Sequence, residues 1–283
     1  MKKITLLIHC KDQPGIISAV TSFISSKKGN IVYIDQHVDA GQGIFFMRLE
    51  SEFEMAVNRS GFQDNFSNQI AQKFEMQWEI YTASYKPKMA IFVSKYDHCL
   101  HDLLGRFRSG ELDVEIPFVV SNHLDLKPIT DRFNLPYYHI PVQKDNKREV
   151  AKKQLDLLKS KAVDFIVLAR YMQIIPKLLI DAYPNQIINI HHSFLPAFVG
   201  AKPYHSAFER GVKIIGATSH YVTENLDAGP IIAQDVSHVS HTHSIKDLIA
   251  KGRDLEKIVL ATAVQLHLKR KVMTYNNKTV IFS

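Results

Sequence analysis

Apolar residues recur at two different spacings along this chain, and the change between them marks out successive strands and helices. Ile4-Thr5-Leu6-Leu7-Ile8 reads as an apolar strand. Asp12-Gln13-Pro14-Gly15 is a turn, with proline pre-setting φ and glycine supplying freedom. Ile16, Ile17, Val20, Phe23 and Ile24 then recur at helical spacing. After Gly29 come two strand-like runs, Ile31 to Val38 and Ile44 to Leu49, joined by Asp39-Ala40-Gly41-Gln42-Gly43, a hairpin signal. A second helix fits Phe62 to Phe74, and Met76 to Tyr81 is the last strand. The order β-α-β-β-α-β predicts a ferredoxin-like domain over residues 1–83.

Ser84-Tyr85-Lys86-Pro87 reads as a linker, and from Lys88 to residue 283 strands and helices alternate. Strands are expected at Met89 to Val93, Ile116 to Ser121, Asp164 to Leu168 and Ile187 to Ile190. Helices are expected near 97–107, 146–160 and 176–183. That alternation predicts a mostly parallel, doubly wound α/β sheet covered on both faces. Segments 213–223 and 231–239 look like later strands, with antiparallel pairing open to them. A helix from about Ser244 to Lys269 and a hairpin folding over Asn276-Asn277 complete the pattern.

A length of 283 residues suits two domains, each able to bury its own core. No stretch approaches the roughly 18 uninterrupted apolar residues of a membrane helix. Met1-Lys2-Lys3 imitates the start of a signal peptide, but the apolar run breaks at His9-Cys10-Lys11-Asp12. Cys10 and Cys99 lack metal or redox spacing, so reduced thiols in a cytoplasmic protein are the plain reading. A net charge of +7 invites nucleic acid as a partner, yet basic and acidic residues are interleaved, as in Lys144-Asp145-Asn146-Lys147-Arg148-Glu149. An anionic small molecule accounts for the surplus equally well.

The densest chemistry lies between residues 189 and 230. Gln186-Ile187-Ile188 resembles a buried parallel strand, and Pro196 ends the segment. Alternation along a strand sends Asn189 and His191 to one side and His192 to the other, a structural position. An amide and an imidazole then stand at a strand's carboxyl end, where open α/β sheets place their ligands. Asp227 precedes the turn Gly229-Pro230. Amide, imidazole and carboxylate together suit a carbonyl whose oxygen becomes negative in the transition state. His238, His241 and His243 lack the i, i+4 spacing and any nearby cysteine, so a solvated loop is expected there rather than a metal site.

These residues resemble the formyltransferase-type catalytic domain that uses N10-formyltetrahydrofolate, whose signature is Asn-x-His, Gly-x-Thr-x-His and a later Asp. Here those positions are Asn189, His191, Gly216, Thr218, His220 and Asp227. Phe198-Val199-Gly200-Ala201-Lys202-Pro203-Tyr204, Gly211-Val212-Lys213 and Lys251-Gly252-Arg253-Asp254-Leu255-Glu256-Lys257 are similar to one branch, the formyltetrahydrofolate deformylases. The first domain, with Asp12-x-Pro14-Gly15, resembles the ACT domain.

The resemblance implies hydrolysis of 10-formyltetrahydrofolate to tetrahydrofolate and formate, supplying formate for purine synthesis, with water as co-substrate and no cofactor or metal. It implies Asn189, His191, His220 and Asp227 as catalytic residues. Asn189 and His191 would stabilise the formyl oxygen. Asp227 would either deprotonate the water or hold His191 in its productive state, and His220 would take a supporting or a chemical part. Met172, Gln173, Ile174 and Ile175 are implied as one wall of the folate pocket, and Val222, Thr223, Glu224, Asn225 and Leu226 as another. ACT domains often bind a free amino acid, here at Asp12, Gln13, Pro14 and Gly15, and commonly pair, so a homo-oligomer, dimer or tetramer, is expected.

The competing reading is a formyl transferase acting on an amine. Transferases that act on glycinamide ribonucleotide place a glycine-rich phosphate loop after the first strand of this domain. This chain has Ser94-Lys95-Tyr96-Asp97-His98-Cys99 there, with no glycine before Gly105 and with Asp97 set to repel a phosphate.

Overall fold

The computed structural model describes residues 1–196 and 203–283. Part of the deformylase-like run, Phe198 to Lys202, lies outside the described residues. The chain divides into two compact units.

The first unit holds Met1–Lys86 together with Arg270–Met273 and Val280–Ser283. Its elements are β1 (Lys3–Lys11), α1 (Ile16–Ser26), β2 (Gly29–Asp39), β3 (Ile44–Phe53), α2 (Arg59–Phe66) and β4 (Gln77–Thr82). The four strands form an antiparallel sheet in the order β2-β3-β1-β4. One face carries the core, where Leu6, Ile8, Val20, Phe23, Leu49, Phe62 and Phe66 are buried. Trp78 packs on this core with its ring 4.7 Å from that of Phe66. The second helix is not one continuous α-helix as its spacing suggests. It starts at Arg59 after Asn58, whose side chain accepts from Gly61 N, and continues through a π turn (Ser67–Ala71) and a 3-10 turn (Gln72–Phe74). No side chain caps the start of α1, where Gly15 stands at φ 93°, so Asp12 does not serve as a helix cap.

Arg270–Met273 and Val280–Ser283 fall in this unit, although the strand–helix alternation assigns everything from 88 onward to the second. Side chains explain the difference. The Arg48 Nε donates to the Arg270 carbonyl at 2.9 Å, and the Arg270 guanidinium lies 4.1 Å from the Tyr81 ring centroid. Tyr33 donates to the Ser283 carbonyl.

The second unit holds Pro87–Lys269 and Thr274–Thr279. Its strands are β5 (Met89–Val93), β6 (Val119–Ser121), β7 (Tyr137–His139), β8 (Phe165–Ala169), β9 (Ile187–His191), β10 (Ile214–Tyr221) and β11 (Ile231–His238). Its helices are α3 (His98–Arg108), α4 (Lys127–Arg132), α5 (Lys147–Ser160), α6 (Lys177–Ala182), α7 (Pro203–Arg210) and α8 (Ile245–Leu268). A single seven-stranded sheet runs β11-β10-β9-β8-β5-β6-β7. β5 to β9 pair in parallel, while β10 runs antiparallel to both β9 and β11. Every residue of β5 and β8 is buried, as a parallel strand covered on both faces requires. The expected strand at Ile116 to Ser121 shrinks to its last three residues, because Pro117 has no N–H for the ladder. The short elements α4, β7 and α7 were not foreseen. β12 (Val272–Tyr275) and β13 (Lys278–Ile281) form the closing hairpin.

Candidate active site

Three strands deliver the site from their carboxyl ends: β5 leads to Ser94, β8 to Arg170, and β9 ends in Asn189-Ile190-His191. The sheet order reverses between β5 and β8, and ligands of open α/β sheets bind at such a point. The antiparallel register of β10 sets Thr218 opposite His191 and His220 opposite Asn189. Thr218 Oγ1 accepts from Leu195 N at 3.0 Å and donates to the Ser193 carbonyl at 2.9 Å, which fixes the chain just beyond His191. The motif Gly-x-Thr-x-His thus has a structural meaning. Alternate residues of one strand hold the segment that carries the imidazole.

The polar groups can be assigned from their partners. His220 Nδ1 lies 2.9 Å from the Tyr221 carbonyl and must donate to it, so in the neutral ring Nε2 is the acceptor. Asn189 Nδ2 donates to that nitrogen at 3.2 Å, which fixes which end of the amide faces His220. Asp227 spans both imidazoles, with Oδ2 3.2 Å from His191 Nδ1 and Oδ1 3.7 Å from His220 Nε2. His191 therefore turns Nδ1 to the carboxylate. Its Nε2 is buried without a hydrogen-bond partner among the described residues. The two neighbouring imidazoles, His191 first and then His220, hold the Asp227 carboxyl far below the usual carboxylate range, against the upward pull of burial. Asp227 sits at φ 53°, a left-handed conformation that a non-glycine residue adopts at a cost. Gly229 makes the return possible, since a Cβ there would stand 1.8 Å from the Tyr221 carbonyl oxygen.

The four residues open onto a cavity of about 340 Å³. Met172, Gln173, Ile174 and Ile175 line it, and so do Val222, Thr223, Glu224, Asn225 and Leu226. Met172 N donates to Ser94 Oγ at 3.0 Å, and Ser94 donates to Asn122 Oδ1 at 2.7 Å, so the end of β5 anchors the first of these walls. The Val222 N–H donates to the Ile187 carbonyl at 2.8 Å and ties the second wall to β9. Ile174 and Leu226 are 73% and 68% exposed, so these walls present apolar surface.

Asp12, Gln13, Pro14 and Gly15 form an exposed turn of the first unit and line no part of this cavity. Ser240 N donates to His243 Nδ1 at 2.9 Å, and His238 and His241 are exposed.

Two further features of the site were missed. His192 does not point away from His191: both rings line the cavity and stack with centroids 5.2 Å apart. β9 ends at His191, so alternation no longer governs the next residue. The second is Arg170, at φ 62° on the cavity wall. Its Nε lies 3.3 Å from Glu256 Oε2, and its guanidinium carbon lies 4.9 Å from the Tyr96 ring centroid. Glu256, on α8 and 1% exposed, also meets His98 Nε2 at 2.9 Å and the Tyr204 hydroxyl at 2.7 Å. Burial pushes the Glu256 carboxyl up, but His98, Arg170 and Tyr204 together hold it below its ordinary value. Tyr204 reaches it only because residue 252 is glycine; a Cβ there would lie 2.2 Å from the tyrosine ring. His98, Cys99 and Glu256 also group as metal-type ligands, yet the cation this carboxylate already holds is the Arg170 guanidinium. No spacing in the sequence links positions 98, 170, 204 and 256.

Comparisons with known proteins identify the family. A formyl transferase family model matches residues 87–264, and an ACT domain model matches residues 4–56. The chain is 50% identical to formyltetrahydrofolate deformylase of Synechocystis over 99% of its own length and 98% of the relative's. The crystal structure of a formyltetrahydrofolate deformylase from Pseudomonas syringae superposes with a TM-score of 0.96 at 46% identity, covering 100% of this chain and 95% of the other. Glycinamide ribonucleotide transformylase 1 from Symbiobacterium toebii is similar over 72% of this chain and 97% of its own, with a TM-score of 0.67 at 26% identity. Both units and the full span are accounted for by one of these groups: the chain belongs to the formyltetrahydrofolate deformylase family.

Proposed function

We propose that this protein hydrolyses 10-formyltetrahydrofolate to tetrahydrofolate and formate, and that the formate serves purine synthesis. The observation that carries the reading is the Asn189–His220–Asp227–His191 cluster opening onto one cavity of about 340 Å³. Water adds to the formyl carbon, the bond to N10 breaks, and a proton passes to N10. Asn189 has a second amide hydrogen to give to the formyl oxygen as charge builds there. Losing such a donor typically costs about 10²–10³ in rate.

Asp227, so firmly ionised, is too weak a base to take a proton from water efficiently. It holds His191 by Nδ1 and stabilises the imidazolium. His191 Nε2 takes the proton from water and passes it to the leaving nitrogen. His220 keeps Asn189 in place by accepting from its amide. Arranged in this way, the residues need no metal and no cofactor.

Residues 88–269 do this chemistry in the cytoplasm. Residues 1–83 form a regulatory and oligomerising domain, whose free amino-acid ligand binds at Asp12 to Gly15. The test is incubation with 10-formyltetrahydrofolate and no acceptor, with and without a chelator. Formate release indifferent to the chelator is expected; turnover that begins only when an amine is added would assign a transferase instead.

A further inference from the structure

We propose that Asn277, at the turn of the closing hairpin, is a positioning residue for Asp227: its side-chain amide holds the loop that sets the carboxylate against His191. This rests on the hydrolytic reading above, in which Asp227 holds His191 by Nδ1. It adds a residue that the ordered motif of asparagine, histidines and aspartate does not include.

β12 ends at Tyr275 and β13 starts at Lys278, so Asn276 and Asn277 make a two-residue turn. Both stand at positive φ, 43° and 59°, as the twist of such a hairpin requires and as asparagine tolerates better than most residues. Side-chain bonds dock the hairpin on neighbours within the second unit. Asn185 Nδ2 donates to Thr274 Oγ1 at 3.1 Å, Thr279 donates to the Ile231 carbonyl, and Asn277 Nδ2 donates to the Ala228 carbonyl at 2.9 Å. The last two land on the stretch that leads from Asp227 into β11.

The loop needs such a hold. Asp227 stands at φ 53°, a conformation that costs a non-glycine residue energy and lasts only where the surroundings over-determine it. The two ends of the loop are fixed by backbone, with Val222 N donating to the Ile187 carbonyl at 2.8 Å and Tyr221 N to the Pro230 carbonyl at 2.9 Å. The Asn277 bond meets the chain between those ends, one residue past Asp227. Without it the loop can relax to an ordinary φ, which turns the carboxylate away from His191 Nδ1, now 3.2 Å off. Asn277 itself is exposed, so removing its amide empties no core. The folate wall that begins at Val222 keeps its own tie to β9.

The test measures formate release by the full-length protein over a series of 10-formyltetrahydrofolate concentrations. Asn277→Gly keeps the turn, since glycine enters the left-handed region freely, and removes only the donor. Its kcat should fall by about three- to ten-fold, the ratio one ordinary hydrogen bond sustains, with KM within about two-fold of wild type. Asn277→Asp tolerates the same φ and sets a carboxylate oxygen against the carbonyl; it should fall at least as far, and it stands in for a glycine variant that does not fold. The discriminating arm repeats the substitution in an Asp227→Asn background. No further fall is expected there, because the loop then has no carboxylate to aim. A kcat that falls by the same factor in both backgrounds overturns the proposal, since a merely structural loss is additive. So does wild-type kcat in the single variants, or a raised KM with kcat kept, which would make Asn277 a support of the folate wall. A wild type that releases no formate at all rejects the hydrolytic reading instead.

Discussion

Asp227 lies within reach of two imidazoles, and that sets what its carboxylate can do. Replacing it with asparagine keeps the shape and removes the charge. Turnover of Asp227→Asn should fall by about 10²-fold or more, the usual scale for lost acid–base function, with folate affinity little changed. Because its pKa is pushed far below the ordinary carboxylate range, Asp227 stays ionised down to low pH. The profile of kcat/KM should therefore carry no inflection from Asp227 at about pH 3.5–4.5. An inflection there that vanishes in Asp227→Asn would contradict the assignment. His192→Ala should lower kcat by roughly 10- to 100-fold, because the ring stacked on His191 helps aim it and small displacements are costly. Wild-type kcat in that variant would make the stack incidental. Asn189, His191, His220 and Asp227 were legible because alternation and an ordered motif constrain them. His192 was not, because the strand ends one residue before it and its direction depends on a tertiary contact with Tyr204.

Helix α8 carries the buried carboxylate that ties β8, α3 and α7 together. Glu256→Gln leaves Arg170 buried without its counter-charge, a change that typically costs about 3–5 kcal/mol. Glu256 titrates below the ordinary glutamate value in the folded protein. Its stabilisation is thus fully present above roughly pH 4.3 and is lost as pH falls further through the lowered value. Melting curves of wild type and Glu256→Gln should differ most near neutrality and converge in acid; a constant gap would remove the charge from the explanation. Gly252→Ala should cost about 1–3 kcal/mol by forcing the Tyr204 ring aside. The elements themselves differ in how readable they are. β5, β8 and β9 announce themselves as apolar runs buried on both sides, and α8 by its length and its Ser244 cap. β7 has only three residues, none of them buried, between Pro136 and Pro141, and the six residues of α4 are too few to show a period.

The two units are expected to carry different kinds of work. In the first, β2 is an edge strand of eleven residues that exposes Val32 and Ile34, and such edges are usually covered by pairing. A symmetric dimer or tetramer through this unit is expected and is read by light scattering. A small free amino acid should bind at Asp12 to Gly15 and shift activity through a coupling of about 1–3 kcal/mol. Calorimetry with a panel of amino acids on wild type and Asp12→Ala decides the matter, and flat traces throughout would leave the unit an assembly device. The β-α-β-β-α-β order of this unit was readable from spacing. The placement of Arg270–Met273 and Val280–Ser283 was not, since it depends on Arg48 and Tyr33 reaching distant backbone. Trp78, the only tryptophan among 283 residues, rests against Phe66 in the first unit. Indole fluorescence of this protein is therefore a built-in optical probe of that unit alone. A denaturation curve followed by that light can reach its plateau while residues 88–269 remain folded and still release formate.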